Sequence, residues 1–373
     1  MGNINVGITG MAGFIGSHLR DRLLREKDIS VVVPFEDSYF EDAKQLKEYL
    51  TRCDVVFHLA AMNRGRPDEL YNVNVELVNK LILSMEETDS APYVIFSSST
   101  QCDLDNPYGR SKKEGTRLLS EWATRNNASF TAMVIPNVFG DSGRPYYNSV
   151  VATFCHQLTH NEQPKVIVDK EVSLIYINQL TDLMCKAIKK PPQGVDRICV
   201  KPTAKAKVTE ILALLESFYE HYYEKKTVPE LKNEFERNLY NVFLNYMEDS
   251  DYQQYPTLRC DERGCLFEVV KQAGCGQFFC STTKPGVTRG NHYHTRKMEK
   301  FCVVQGEAII RLRRIGTDKI IEYKVSGDKP ANIEMPIFYT HNITNIGRTD
   351  LLTLFWTNEL FDRDDPDTFY EEV

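Results

Sequence analysis

Three glycines constrain the first part of this chain more than any other feature. Gly10, Gly13 and Gly16 stand three apart, directly after the apolar run Ile4 to Ile8 and at the head of a helix-forming segment. A turn of this spacing lets backbone amides and a helix N-terminus approach a pyrophosphate, because glycine has no Cβ to hold a ligand off. It needs a strand before it and a helix after it, which commits the region to an α/β organisation. Further Val/Ile-rich runs continue the alternation: VVVP, CDVVFHLAA, YVIFSSS, TAMVIPNVFG, KVIVD and RICV read as strands between helical patterns, hence a parallel sheet covered by helices. Residues 205–250 change character, and TEILALLESFYEHYYEKK and ELKNEFERNLYNVFLNYM predict a helical cap and connector. After Tyr255 and Pro256 come short alternating segments, FCVVQGEAIIRLRR, IIEYKVSG and LLTLFWTN, set between Gly and Pro. They predict a small β-barrel or sandwich. The expected domains are 1–250 and 251–373.

At 373 residues the chain has room for two or three domains with their own cores. A formal net charge of -7, without a lysine/arginine block, weighs against nucleic acid as a partner. No apolar run approaches the roughly 20 residues of a membrane span. Met1 leads into the first strand with no basic leader, so a cytoplasmic protein is expected. The ten cysteines are scattered. Cys260/Cys265 and Cys275/Cys280 have the wrong gap for a zinc knuckle, and all are expected as thiols in a reducing compartment.

A glycine turn alone is a weak signal, but its surroundings add to it. His58-Leu59-Ala60-Ala61 closes a strand where a cofactor would lie, Ser97-Ser98-Ser99 ends another, and Tyr108 and Lys112 follow four apart. On a helix that spacing puts both on one face, where the ammonium favours phenolate. Lowering a tyrosine from about 10 to near 7 corresponds to about 4 kcal/mol, a plausible load for a cation plus an oxidised nicotinamide ring. The bland alternative is a surface Tyr/Lys pair.

These residues resemble the extended short-chain dehydrogenase/reductase family across about residues 1–250. The resemblance implies a Rossmann-type doubly wound parallel sheet, with Gly10, Gly13, Phe14, Ile15, Gly16 and Ala60 around the cofactor. Tyr108 would be the proton donor/acceptor, Lys112 would bind the ribose and tune Tyr108, and Ser99 would hydrogen-bond the reacting oxygen, with Thr100 in reserve. Pro136 to Gly140 looks like the family's nicotinamide-side loop, which sets Pro136 and Val138 toward the cofactor and Asn137, with Arg64, toward substrate. Where the family usually has an arginine three residues before that Asn, this chain has Val134. Glu36 or Asp37, after the second strand, would bind a ribose 2′-hydroxyl and repel a 2′-phosphate, which reads as NADH. An acidic loop facing solvent is the competing reading.

The C-terminal part carries a more specific pattern. Gly286, five residues, His292-x-His294, four residues, Glu299, six residues and Gly306 are followed by Pro336, His341 and Asn345. Alternation along a strand puts His292 and His294 on one face, and a barrel brings Glu299 and His341 in from neighbouring strands. Three imidazoles and a carboxylate suit zinc ahead of iron, manganese or nickel. A metal-free histidine cluster is the alternative.

This pattern resembles the two motifs of the cupin family, with Phe338 where the second motif normally has glycine, so an all-β cupin barrel is expected. DERGCLFE (Asp261 to Glu268) and TRGNHYH (Thr288 to His294) are similar to the nucleotide-sugar 3,5-epimerase branch, where arginines matching Arg263 and Arg289 contact nucleotide phosphates. The histidine matching His292 is the base in that branch; here it is placed as a metal ligand, which leaves Tyr293, Lys300 and Tyr339 as candidate bases.

Reductase followed by cupin resembles the bifunctional enzymes of capsular polysaccharide synthesis, on DNPYGRSK, YNSVVATFC, KPGVTRGNHYH and PDTFYEEV besides the motifs. Such enzymes act on a UDP-linked 2-acetamido-2,6-dideoxy-hexos-4-ulose, epimerising carbon 3 and then reducing the carbon 4 ketone. The product is UDP-N-acetyl-6-deoxy-L-talosamine, on the route to L-FucNAc. The resemblance implies NADPH, against the acidic Glu36/Asp37 reading, and a homodimer. A one-step reductase or epimerase with a structural or sugar-sensing cupin is the alternative.

Overall fold

Strand and helix alternate through the first half of the computed structural model, which describes residues 4–373. One compact unit runs through Leu215 and includes Asn233–Met247; the other comprises Glu216–Lys232 and Glu248–Val373. In the first unit the order is β1 (Ile4–Thr9), α1 (Phe14–Leu23), β2 (Ile29–Val33), α2 (Ala43–Leu50), β3 (Val55–His58), α3 (Pro67–Glu87), β4 (Tyr93–Ser99), α4 (Pro107–Arg125) and β5 (Phe130–Ile135). There follow β6 (Asn137–Phe139), α5 (Val150–Thr159), β7 (Glu171–Tyr176), α6 (Ile177–Ile188), β8 (Val195–Cys199), β9 (Ala204–Lys207), α7 (Val208–Tyr219), whose last residues from Glu216 belong to the other unit, and α8 (Glu234–Asn245).

Six of these strands form one parallel sheet in the order β2-β1-β3-β4-β5-β8. Both faces are covered. Leu46, Leu50, Val78, Leu81, Met85, Leu119 and Trp122, from α2, α3 and α4, pack on one side. Leu19, Leu23, Leu180, Met184 and Ile188, from α1 and α6, pack on the other. The doubly wound parallel sheet expected from the alternation is present. Burial on both faces explains why β3, β4 and β5 are buried at every position and read as continuous apolar runs.

Pro136 divides the run TAMVIPNVFG. It ends β5, and the next residues leave the main sheet for a small one, β6-β7-β9. The KVIVD segment is not a strand. Residues 165–169 are irregular, with Ile167 95% exposed, because no neighbouring edge pairs with them and the ladder starts only at Glu171.

The second unit is antiparallel. Its strands are β10 (Arg259–Asp261), β11 (Gly264–Gln272), β12 (Gly276–Thr283), β13 (Thr288–Tyr293), β14 (Glu299–Gln305), β15 (Glu307–Arg314), β16 (Ile320–Ser326), β17 (Asn332–Met335), β18 (Tyr339–Asn345), β19 (Leu351–Thr357) and β20 (Phe369–Tyr370). They form two sheets, β10-β11-β12-β19-β14-β17 and β16-β15-β18-β13-β20. One apolar cluster joins them: Phe301, Val303, Met335 and Leu351 from the first meet Ala308, Ile310, Leu312 and Ile343 from the second. The expected closed barrel is therefore a pair of facing sheets, since no ladder of hydrogen bonds links their edges among the described residues.

One cysteine expectation is corrected. Cys260 and Cys265 form a disulfide, because the β10–β11 hairpin sets them directly opposite each other. The other eight are free. No helix of the described residues is long and apolar enough to cross a membrane.

Candidate active site and metal centre

The order of the parallel sheet reverses at β1 and β3, which opens a crevice at their carboxyl ends where ligands of such folds bind. The glycine turn stands there. Gly10 has φ +69, and a Cβ on it would lie 2.9 Å from Ala60 N, so glycine alone permits the approach of the two strand ends. A Cβ on Gly16 would fall 2.2 Å from Gly10 O. Gly13 N donates to Gly10 O at 3.0 Å, and Gly13 is the N-cap of α1 with no side-chain cap and no acidic residue in the first turn. The first-turn amides beside Phe14 and Ile15 are thus free of protein caps, which suits the pyrophosphate of a dinucleotide.

Below the turn, Ala60 N donates to Thr9 Oγ1 at 3.3 Å, and that hydroxyl lies 2.8 Å from His58 Nδ1. Burial, with Lys112 nearby, pushes His58 down to about 3. A neutral imidazole is the form that can be enclosed here.

Tyr108 and Lys112 lie in the first two turns of α4, which Asn106 caps through Gly109 N at 2.8 Å. Lys112 is 2% exposed; its Nζ is 4.8 Å from the centre of the Phe96 ring and 5.6 Å from that of Tyr108. The predicted shared face is present. Nζ donates to Ser97 Oγ at 3.3 Å, and Ser97 donates to His58 O at 3.2 Å, a link the sequence reading did not single out. Ser99 Oγ accepts from Gln101 N at 3.1 Å, fastening the turn that leads to α4. Burial, and then Tyr147, pushes the Tyr108 phenol up to about 12, and burial pushes Lys112 down to about 7. Without a cofactor the enclosure dominates, and the phenol stays protonated at neutral pH.

Pro136 is buried and Val138 half-buried, while Asn137 is exposed and donates from Nδ2 to Ser173 O at 3.2 Å. Glu36 is exposed at the head of the 3-10 turn Asp37–Glu41. Arg64 borders a cleft of about 480 Å³ that also holds Asn106, Pro107 and Tyr108.

In the second unit His292 on β13 faces His341 on β18 in register, and His294 follows just beyond β13. Gly290 and Asn291, with φ +103 and +60, make a bulge at this point; a Cβ on Gly290 would lie 2.7 Å from His341 O. The bulge re-aims His292, a common use of one beside a site. Glu299 opens β14 and arrives from the other sheet, so the four ligand atoms, within 4.8 Å of one another, sit between the two sheets.

The hydrogen bonds around this cluster give a test for a metal. His294 Nδ1 is bonded to Asp367 O and His341 Nδ1 lies 3.1 Å from Tyr339 O. Carbonyl oxygens only accept, so each Nδ1 carries the hydrogen and each Nε2 of a neutral ring presents a lone pair. Both Nε2 atoms face Glu299 Oε2, at 3.4 and 3.1 Å. Acceptors aimed at one another call for a cation among them, and backbone carbonyls behind ligand imidazoles are the usual support. Burial pushes the Glu299 carboxyl up, but with no cation between them the His294 and His341 imidazoles, when protonated, outweigh it and hold it below the ordinary range. Burial and His341 push His292 down to about 4. The residues fit a divalent metal.

Asp367 was not found from the sequence. Its carboxylate accepts from Thr295 N at 3.1 Å, Arg296 N at 2.9 Å, Lys297 N at 2.9 Å and Thr295 Oγ1 at 2.6 Å. Nothing in a local pattern points from residue 367 to residue 294; only the fold does. Arg263 and Arg289 do meet, through Asp261: Arg263 Nη2 donates at 2.6 Å and Arg289 Nη2 lies 3.5 Å away. Bonds from Arg263 hold Asp261 at about 2.

Residues 6–199 match the model of the NAD dependent epimerase/dehydratase family, and residues 259–369 that of the polysaccharide biosynthesis C-terminal domain. A UDP-2-acetamido-2,6-beta-L-arabino-hexul-4-ose reductase of Pseudomonas aeruginosa is 33% identical over 370 residues, covering 98% of each chain. The crystal structure of the capsular polysaccharide assembling protein CapF from Staphylococcus aureus matches with a TM-score of 0.88 and 36% identity, over 99% of this chain and 100% of that one. A UDP-glucose 4-epimerase of Thermotoga maritima, at 19% identity and TM-score 0.56 over 65% of this chain and 98% of its own, shares the fold of the first unit. By these matches the protein belongs to the NAD dependent epimerase/dehydratase family, and its chain continues into a polysaccharide biosynthesis C-terminal domain.

Proposed function

We propose that the chain is a two-step nucleotide-sugar enzyme. The second unit epimerises carbon 3 of UDP-2-acetamido-2,6-dideoxy-hexos-4-ulose, and the first reduces the carbon 4 ketone with NAD(P)H to give UDP-N-acetyl-6-deoxy-L-talosamine, on the route to L-FucNAc in capsular polysaccharide synthesis. The observation that carries the reading is Tyr108 beside the buried Lys112, at the crevice that holds the Gly10 turn.

The chemistry orders the steps. The carbon 4 ketone acidifies the proton on carbon 3, and reduction removes that ketone, so the new centre is fixed only if epimerisation comes first.

In the first unit Tyr108 donates its proton to the carbon 4 oxygen. Burial supports this direction, since a phenol at about 12 is fully protonated at neutral pH. Lys112 has no carboxylate partner among the described residues, so its charge is left to the phenolate and to ribose hydroxyls. Ser99 would hold the reacting oxygen. Gly10, Gly13 and Gly16 with the first turn of α1 would hold the pyrophosphate, and Glu36 a ribose hydroxyl. Bound there, the nicotinamide supplies the hydride.

In the second unit His292, His294, Glu299 and His341 would hold a divalent metal, zinc by the donor set, which would offset negative charge developing on a substrate oxygen. Arg263 and Arg289 would receive nucleotide phosphates. A homodimer belongs to the same reading, and sedimentation of the full chain tests it.

The central test is incubation of the full chain with the UDP-4-ketosugar, in deuterated water, with and without NAD(P)H. Deuterium at carbon 3 without cofactor, and cofactor oxidation with it, support the reading; neither signal overturns it.

A further inference from the structure

Residues 141–149, between β6 and α5, form an irregular strap bonded to Arg64, one of the residues that line the Tyr108 cleft. Two of its residues, Ser142 and Tyr146, have φ of 61 and 56, a left-handed conformation that is unfavourable for a non-glycine residue. Such strain lasts only where the surroundings impose it. At Tyr146 those surroundings include Arg64. Its Nε donates to Asn148 Oδ1 at 3.0 Å and its Nη1 to Tyr146 O at 2.9 Å, while Tyr146 N is held by Thr153 Oγ1 at 3.0 Å.

The latch fixes the ring of Tyr147. Arg64 Cζ lies 5.3 Å from its centre and Arg144 Cζ 5.5 Å, so one ring has two guanidinium groups in cation–π range. Neither forms an ion pair with a carboxylate among the described residues, in a chain with 52 acidic side chains. Two cations gathered without a counterion repel each other. The missing partner is an anion.

The two arginines differ in what they have left to give. Arg64 spends Nε and Nη1 on the strap. Arg144 is exposed and donates to no protein group among the described residues, so the N–H donors of its planar fork are all uncommitted, and such a fork grips phosphate in pairs of bonds. We infer that Arg144 binds the diphosphate of the nucleotide-sugar substrate at the mouth of the Tyr108 cleft, with Arg64 and Tyr147 as positioning residues; this rests on the nucleotide-sugar reading above.

Reduction kinetics of the full chain test it, with a UDP-4-ketosugar already in the right carbon 3 configuration, so that the step followed belongs to the first unit. The probes are the UDP-4-ketosugar as substrate, and UDP and uridine as competitive inhibitors. Arg144→Ala is expected to raise the KM for the ketosugar and the inhibition constant of UDP by roughly ten- to a hundredfold, the loss of a charge-assisted bond. Inhibition by uridine, kcat and the KM for NAD(P)H should change less than about threefold. Arg144→Lys should recover part of the loss, and Arg64→Met should raise the same two constants, since an unlatched strap no longer presents Arg144. An unchanged UDP constant in Arg144→Ala overturns the inference, as does an equal rise in the KM for NAD(P)H. If the wild-type chain reduces no UDP-4-ketosugar, the underlying reading fails with it; wild-type turnover with an indifferent Arg144→Ala removes this inference alone.

Discussion

His294 and Asp367, far apart in sequence, are held together at both ends of Asp367: its carbonyl takes the Nδ1 hydrogen of His294, and its carboxylate takes the backbone N–H groups of Thr295, Arg296 and Lys297. The carboxylate therefore sets the turn that aims the imidazole, and the carbonyl sets its tautomer. Burial pushes the Asp367 carboxyl up, but the bonds from Thr295 and the following backbone outweigh it and hold it well below the ordinary range.

Asp367→Ala should weaken metal binding by about ten- to a hundredfold, the usual effect of losing a ligand's support. It should also destabilise the second unit by about 1–3 kcal/mol, since the buried N–H of Lys297 and the partly buried ones of Thr295 and Arg296 lose their acceptor. Metal titration with calorimetric unfolding checks both; metal affinity equal to wild type would show that the clasp is not needed to aim His294.

Tyr108→Phe should slow ketone reduction by about a hundred- to ten-thousandfold while deuterium exchange at carbon 3 continues. The mutant keeps the half-buried ring beside Lys112 and loses only the hydroxyl. Near-normal reduction would remove Tyr108 from its role.

For His292→Ala or His341→Ala the expected result is metal release, lower thermal stability of the second unit and loss of carbon 3 exchange. Reduction of a substrate already in the right carbon 3 configuration should survive, because the parallel sheet has its own two apolar clusters. Metal loss with wild-type exchange would make the metal structural.

Glu36→Gln should shift the ratio of kcat/KM for NADPH over NADH upward by about tenfold, because a carboxylate near a 2′-phosphate repels it. Glu36 is exposed, with Ser38 Oγ 3.5 Å from it, so the substitution disturbs little packing. An unchanged ratio would show that the acidic turn points away from the cofactor.

His18 Nε2 lies 3.2 Å from Asp141 and its Nδ1 2.8 Å from Phe14 O, and the bond to Asp141 raises its pKa above the ordinary 6.5 against the opposing effect of burial. The folded state binds this proton more tightly than the unfolded one. Its contribution is complete below about pH 6.5 and is lost as pH rises through the raised value. Urea midpoints of the first unit should therefore fall across the neutral range, and His18→Gln should flatten that slope. Equal slopes in both proteins would assign the dependence elsewhere.

The alternation of apolar runs and helical patterns determined the parallel sheet, because strands buried on both faces must be apolar at every position. It misread KVIVD for the same reason: apolar content is a local property, and whether an edge is available to pair is not. Motif spacing named His292, His294, Glu299 and His341 as a set. The packing of two sheets decided that Glu299 meets the imidazoles from the opposite side, that Asp367 holds His294, that Cys260 lies opposite Cys265, and that Arg64 latches the strap under Arg144. Periodicity and spacing record what neighbours along the chain do together. Hydrogen bonds between residues tens of positions apart depend on how whole sheets and loops settle against each other, and that is written only in three dimensions.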